Sequence, residues 1–276
     1  MWKLNKPDIN VAKGKDIDEL INHSYILKRN TDLKERLITL YQYYDNQNGR
    51  VTDKQLEAIS QKEAEQIFNS YPKTYKGECL NYIRIELNKN VHRCPYCSIS
   101  ELAQLDHNMP ESKYKALAVC RMNLVPMCGI CNNKKNDNNY SNFIHCYYQE
   151  YPANTQFFVA DISVVENRFV VNFHFTGIDD SLNTKLSYQA ITIDLFERLQ
   201  KEASVYIENT CKECYATTIE GFREHLELKY ETEKNTWGLN DWRTVVIKGM
   251  IDCPNLDISV VNNYKNNPRD LSGGGV

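Results

Sequence analysis

Two Cys-x-x-Cys pairs constrain this chain more than any other feature: Cys94 and Cys97 in "RCPYCSIS", and Cys128 and Cys131 in "PMCGICNN". Taken alone, Cys-Pro-Tyr-Cys fits a dithiol redox site as well as half of a zinc site. A redox pair works through one exposed, low-pKa thiolate at a helix start in a βαβ setting. Here the residues before Cys94 read as helical, and the second pair follows after thirty intervening residues. Two pairs supply four thiolates, the donor set of a closed tetrahedral zinc site. Such a site leaves no position open for chemistry, so the zinc is structural. It contributes about 10–16 kcal/mol of apparent binding free energy in small zinc modules. The net stability of a domain is about 5–15 kcal/mol. The dithiol oxidoreductase reading stands beside this one as a competitor.

The chain has 276 residues and ten cysteines. A third pair, Cys211 and Cys214 in "NTCKECYA", has no second pair near it; Cys253 or His225 is the candidate to complete a second zinc site, against the plainer reading of two core cysteines. Cys79, Cys120, Cys146 and Cys253 read as small buried residues. The longest apolar runs fall short of a membrane span. The N-terminus "MWKLNKPDIN" lacks the apolar core of a signal peptide. A cytoplasmic protein with reduced cysteines and no membrane partner is the expectation. With a net charge of −3, the surface as a whole does not grip nucleic acid. Any such contact falls to a local patch; the candidates are Lys113, Lys115, Arg121, Lys134 and Lys135.

Residues 16–88 read as helical, with Leu33, Leu37, Leu40 and Tyr41 at helical spacing. Thr52 and Gln55 form a capping box for a helix through about Phe68, after a turn at "YDNQNG"; "GECLNYIRIEL" reads as another helix. Residues 91–137 break the pattern and end in an Asn-rich loop. "FFVADISVVENRFVVNFHF" alternates as two strands around Glu166-Asn167. Helices resume from about Thr192, with Thr217 and Glu220 as a second capping box. The chain thus divides into a helical arm (1–90), a cysteine-bearing core (91–150), a mixed and mostly helical C-terminal region (151–270) and a flexible tail (271–276).

The residues between the two pairs decide the function. They hold Leu105-Asp106-His107 followed by Pro110, and Asn123-Leu124-Val125-Pro126 leading into Cys128. The second pair continues as Asn132-x-x-Lys135. The order C-x-x-C, L-D-H-x-x-P, N-L-V-P-x-C-x-x-C-N-x-x-K resembles the HNH endonucleases, and the match covers residues 94–135. The resemblance implies an α+β fold: a zinc-stapled ββα-metal core embedded in mostly helical N- and C-terminal extensions.

It also implies roles. His107 is the general base, a task suited to an imidazole whose ordinary pKa is near ~6.5. Asp106 is a metal ligand. Asn132 stands where many members of the family carry histidine and supplies the second ligand. Asn123 ties down the connecting loop and so orients His107. Lys135, with Lys134 beside it, meets a phosphate. An Asp/Asn oxygen pair suits Mg²⁺ or Mn²⁺. Asn133, Asn136 and His145 compete with Asn132 for the last ligand position. Adjacent residues of a strand point to opposite faces, so Asp106 and His107 share a site only if the backbone departs from the strand there.

The expected reaction is metal-dependent hydrolysis of DNA phosphodiester bonds. The wider layout is similar to HNH subunits of bacterial antiphage defence systems, such as the Septu nuclease subunit, which works beside an ATPase; a partner ATPase is therefore expected. The alternative is a catalytically idle, zinc-stabilised module that binds nucleic acid or protein.

Overall fold

The computed structural model describes residues 3–137, 140–152 and 154–266. The tail read at 271–276, and positions 138 and 139 of the Asn-rich loop, lie outside the described residues. The chain is mixed α and β and divides into two compact units, Met1–Tyr151 and Pro152–Val276. The segments read as arm and core, 1–90 and 91–150, fall within the first unit.

In that unit, α1 (Ile9–Val11) runs through a π-helical turn into α2 (Ile17–Asn22). α3 (Leu33–Asn46) follows and buries Leu33, Leu37, Leu40, Tyr41 and Tyr44, one stripe at helical spacing. Asn48 and Gly49 then take positive φ and turn the chain. Glycine is needed at position 49, since a Cβ there would lie 2.3 Å from the His145 ring.

The helix expected from Thr52 to Phe68 is two helices, α4 (Asp53–Leu56) and α5 (Gln61–Phe68). The Thr52–Gln55 capping box is present, but a second box, Ser60 with Glu63, restarts the chain. Glu63 also accepts from Arg36 at 2.7 and 3.0 Å, which fastens α5 to α3. α6 (Asn81–Asn88) is shorter than "GECLNYIRIEL" implied.

Two short strands, β1 (Gln104–His107) and β2 (Leu124–Met127), pair antiparallel with Asp106 opposite Val125 and His107 opposite Leu124. Pro126 is tolerated because each strand of a two-stranded sheet has an unpaired edge. α7 (Gly129–Lys135) starts directly after β2. A buried ion pair joins this region to the N-terminal helices: Arg121 donates to Asp16 and to Glu86, and Tyr82 donates to Asp16.

In the second unit, β3 (Phe158–Val165) and β4 (Arg168–Phe175) form the expected hairpin. Glu166 and Asn167 both have positive φ, as a type I′ turn requires. α8 (Asp180–Thr192), α9 (Leu195–Glu213), α10 (Ile219–Trp237), α11 (Trp242–Asp252) and α12 (Ile258–Asn266) complete it. The N-cap of α10 is Thr218, whose side chain accepts from the Gly221 amide, so the cap lies one residue beyond the expected Thr217. α11 lies close on β3: a Cβ at Gly249 would sit 2.2 Å from the Ala160 carbonyl oxygen. No helix among the described residues is long and apolar enough to cross a membrane.

Glu63 gives the first prediction. Hydrogen bonds from Arg36 hold its carboxyl down at about 2, well below its ordinary value. Its contribution is therefore complete above the unfolded value near ~4.5 and is lost as pH falls toward 2. Glu63→Gln is expected to lower unfolding free energy at pH 7 by about 1.5–3 kcal/mol. The gap from the parent, followed by urea titration, should narrow below pH 4.5; a gap independent of pH would contradict it.

Candidate metal centre and the cavity beside it

Local backbone geometry brings the first cysteine pair to a point. The Cys94 amide donates to the Ser100 carbonyl at 3.0 Å, the Ser98 amide donates to the Cys94 carbonyl at 2.8 Å, and Ser98 takes a left-handed φ of 56°. The second pair opens α7. Cys128 is its N-cap, and its sulfur accepts from the Cys131 amide at 3.4 Å. The four sulfurs of Cys94, Cys97, Cys128 and Cys131 lie within 4.8 Å of one another, and all four residues are buried. Cys97 and Cys128 Sγ are 3.9 Å apart. A tetrahedron with Zn–S bonds of ~2.3 Å has sulfurs ~3.8 Å apart, so the cluster could hold a zinc ion. Burial pushes the Cys94 thiol up, while hydrogen bonding from Cys131 pulls Cys128 down to about 6. No member is the exposed thiolate that redox exchange needs.

Cys211 and Cys214 do not repeat this. Among the described residues they form no ligand cluster with Cys253 or His225. Both are buried at the C-terminal end of α9.

The cluster sits at one end of the β1–β2 hairpin; Asp106 and His107 sit at the other end of β1. Both line one cavity of about 600 Å³, together with Asn132 and Asn133 of α7. Both lie within β1, His107 as its last residue, and both line the cavity although adjacent strand residues ordinarily face opposite sides. The connecting loop is held by Asn123. Its Oδ1 accepts from the Met109 amide at 2.8 Å and from the Tyr44 hydroxyl at 2.9 Å, and its Nδ2 donates to the Met109 carbonyl at 3.0 Å. Tyr44 also contacts His145 Nε2 at 3.1 Å. His145 is buried beside Gly49 among Tyr44, Tyr147 and Tyr148 and does not line the cavity, so it is a packing residue and no candidate ligand.

His107 is 8% exposed. Its Nε2 lies 2.8 Å from the Ala118 carbonyl oxygen and 3.3 Å from Glu111 Oε2. A carbonyl oxygen only accepts, so Nε2 carries the proton and Nδ1 keeps the lone pair. Burial lowers the imidazole pKa to about 4, which leaves it neutral at pH 7. The ring meets Tyr71 edge-on at 4.5 Å, and the Tyr71 hydroxyl donates to the Leu105 carbonyl at 2.8 Å. Burial also raises the Glu111 carboxyl to about 6.

Asp106 is buried, and burial pushes its carboxyl up against the pull of Lys135. Lys135 Nζ lies 2.8 Å from Asp106 Oδ2 and donates to the His107 carbonyl at 2.9 Å. The direction of that ion pair leaves Oδ2 without an aligned hydrogen bond. The expected phosphate contact of Lys135 is thereby overturned: at 2% exposure it is an internal counter-charge. Lys134 is half-buried and does not line the cavity. Arg121, another member of the expected basic patch, is consumed by Asp16 and Glu86. Asn132 donates to the Gln104 side chain, which leaves its Oδ1 as an acceptor. Asn136 is exposed and off the cavity, whereas Asn133 is exposed and lines it.

The structure thus brings Asp106, His107 and Asn132 to one cavity, with Asn123 and Lys135 behind them. Tyr44, Tyr71 and Glu111 were not foreseen. The two tyrosines come from distant helical segments that carry no local signal. Glu111, four residues from His107 and directly after Pro110, was visible in principle. Compared with models of protein families, with curated proteins and with solved structures, the chain finds no match.

Asn123→Ala strands the buried Met109 amide and carbonyl. It is expected to lower stability by about 1–3 kcal/mol, read as a lower urea midpoint with Cys94–Cys131 metal content unchanged; an unshifted midpoint would contradict the tie.

Proposed function

We propose that the Met1–Tyr151 unit is a divalent-metal-dependent endonuclease of the HNH kind, built on a ββα-metal core, that hydrolyses phosphodiester bonds of DNA. The observation that carries this reading is His107: a neutral imidazole that lines the cavity, with its Nε2 proton committed to Ala118 O and its Nδ1 therefore the basic nitrogen. That is what a base for activating water requires.

Asp106 and Asn132 are the residues that would hold the metal. The donor chemistry fits a hard ion: a carboxylate, whose Oδ2 is ion-paired with Lys135, and an amide oxygen, both on the cavity. A bound Mg²⁺ or Mn²⁺ supplies positive charge to the phosphate and to the leaving oxygen. The other steps belong to this chain. His107 Nδ1 takes a proton from water, and Ala118 O and the Glu111 carboxylate stabilise the imidazolium that results. Tyr71 fixes the ring plane, and Asn123 fixes the loop that supplies Ala118 O. Lys135 holds Asp106 and the His107 backbone in one relative position.

A role in antiphage defence and a partner ATPase rest on the sequence resemblance, and a cytoplasmic setting on the N-terminal sequence and the cysteine usage. The second reading, an idle zinc-stabilised binding module, draws on one observation: Lys135 already neutralises Asp106.

Supercoiled plasmid incubated with Mg²⁺, Mn²⁺ or EDTA separates the two. The parent should nick or linearise it with Mg²⁺ or Mn²⁺ but not with EDTA, and His107→Ala should be slower by about 10²–10⁴-fold while keeping its fold by circular dichroism. A His107→Ala protein that cuts as fast as the parent ends the assignment.

A further inference from the structure

We propose that the wall of the cavity contributed by the helical arm is a subsite for an unpaired strand of DNA, in which Arg84 and Lys76 take backbone phosphates and Tyr75 stacks a base. The choice of DNA as polymer rests on the nuclease reading; the subsite itself is argued from the wall.

Of the residues expected to contact phosphate, Lys135 and Arg121 are buried in ion pairs, and Lys113, Lys115 and Lys134 do not line the cavity. The cavity nevertheless has a cationic side. Lys76 and Arg84 line it, as do the carboxylates of Asp106, Glu111 and Asp137.

Arg84 is half-buried and held by neutral partners only. Its Nη2 is 3.4 Å from the Tyr71 hydroxyl, and its Nε is 3.4 Å from the Thr74 carbonyl oxygen. Its guanidinium lies 5.2 Å from the centre of the Tyr75 ring. Among the described residues, neither Arg84 nor Lys76 is in an ion pair with a carboxylate of the chain. Two cations thus line the cavity without a direct ion-pair partner among the described residues, and one of them is held by hydrogen bonds to neutral groups. A guanidinium so placed, with Nη1 in no hydrogen bond among the described residues, suits a phosphate.

Tyr75 supplies the other half of the chemistry. Its ring is 48% exposed, beside Arg84. It meets Tyr71 edge-on at 5.7 Å, and Tyr71 meets His107 in turn. An aromatic face next to a cation, one ring removed from the base, is the pairing that single-strand binders use: charge follows the backbone and rings stack on bases. Paired bases are stacked on one another and offer no open face to Tyr75. A single strand does, and the charge asymmetry of the cavity orients it, with its phosphates on the Lys76 and Arg84 side and away from the carboxylates.

The test is fluorescence anisotropy of the full-length, zinc-loaded protein with a fluorescein-labelled single-stranded oligonucleotide and with the same sequence as a duplex, without added divalent ion. The single strand should bind more tightly. Tyr75→Ala should weaken it by about 5-fold or more, and Tyr75→Trp should restore it. Lys76→Ala, an exposed position, should leave the fold intact and reduce the slope of log Kd against log salt by about 0.7. Equal affinity for duplex and single strand, or unchanged affinity in Tyr75→Ala with an unchanged salt slope in Lys76→Ala, overturns the subsite. Because no cleavage is measured, these outcomes are independent of whether His107→Ala abolishes cutting.

Discussion

The convergence of four buried cysteine sulfurs on one point is the constraint on which the first unit depends. One pair precedes β1 and the other opens α7, so the cluster fixes the start of that helix against the hairpin. From there, helical spacing does the rest. Asn132 and Lys135 stand at i and i+3 and share a face. That face runs along β1: Asn132 meets Gln104 at its start, and Lys135 meets Asp106 and His107 at its end. Four thiolates that close repel one another, so without a cation the sulfurs cannot all be deprotonated. A bound zinc ion removes that conflict and turns the cluster into a cross-link.

A second layer of polar contacts sets the site from behind. Asn123 closes the loop after β1 with its own amide, and Tyr44 from α3 reaches that same amide. Tyr71 bonds to β1 and packs on His107. Arg121 and Asp16 tie the loop to the N-terminal helices through a buried pair, the kind whose removal leaves a costly lone charge. The helical arm is therefore part of the site's support and forms one wall of its cavity.

What could be read from the sequence is what is encoded locally. The Cys-x-x-Cys spacing, the Leu33–Leu40 stripe and the alternating strands around Glu166-Asn167 each carry a short-range signature, and each has its counterpart in the structure. Contacts between distant residues carry none. Nothing near Lys135 says that it folds inward onto Asp106, and nothing near Tyr71 says that it meets His107. The α5 start at Ser60 was missed because one capping box hid the next. α8 was missed because its buried stripe, Leu182, Leu186, Gln189 and Ala190, includes a polar residue and sits in a polar run. Charge was the least legible quantity: Arg121 and Lys135 of the basic cluster went into internal ion pairs, while Lys76 and Arg84 of the arm line the cavity.

The most direct measurement of the central constraint is zinc K-edge X-ray absorption on the purified chain. One zinc per chain with four sulfur neighbours at about 2.3 Å is the expected result. A zinc-free folded protein, or a zinc shell of nitrogen and oxygen, would mean that the four cysteines do not organise the hairpin and α7.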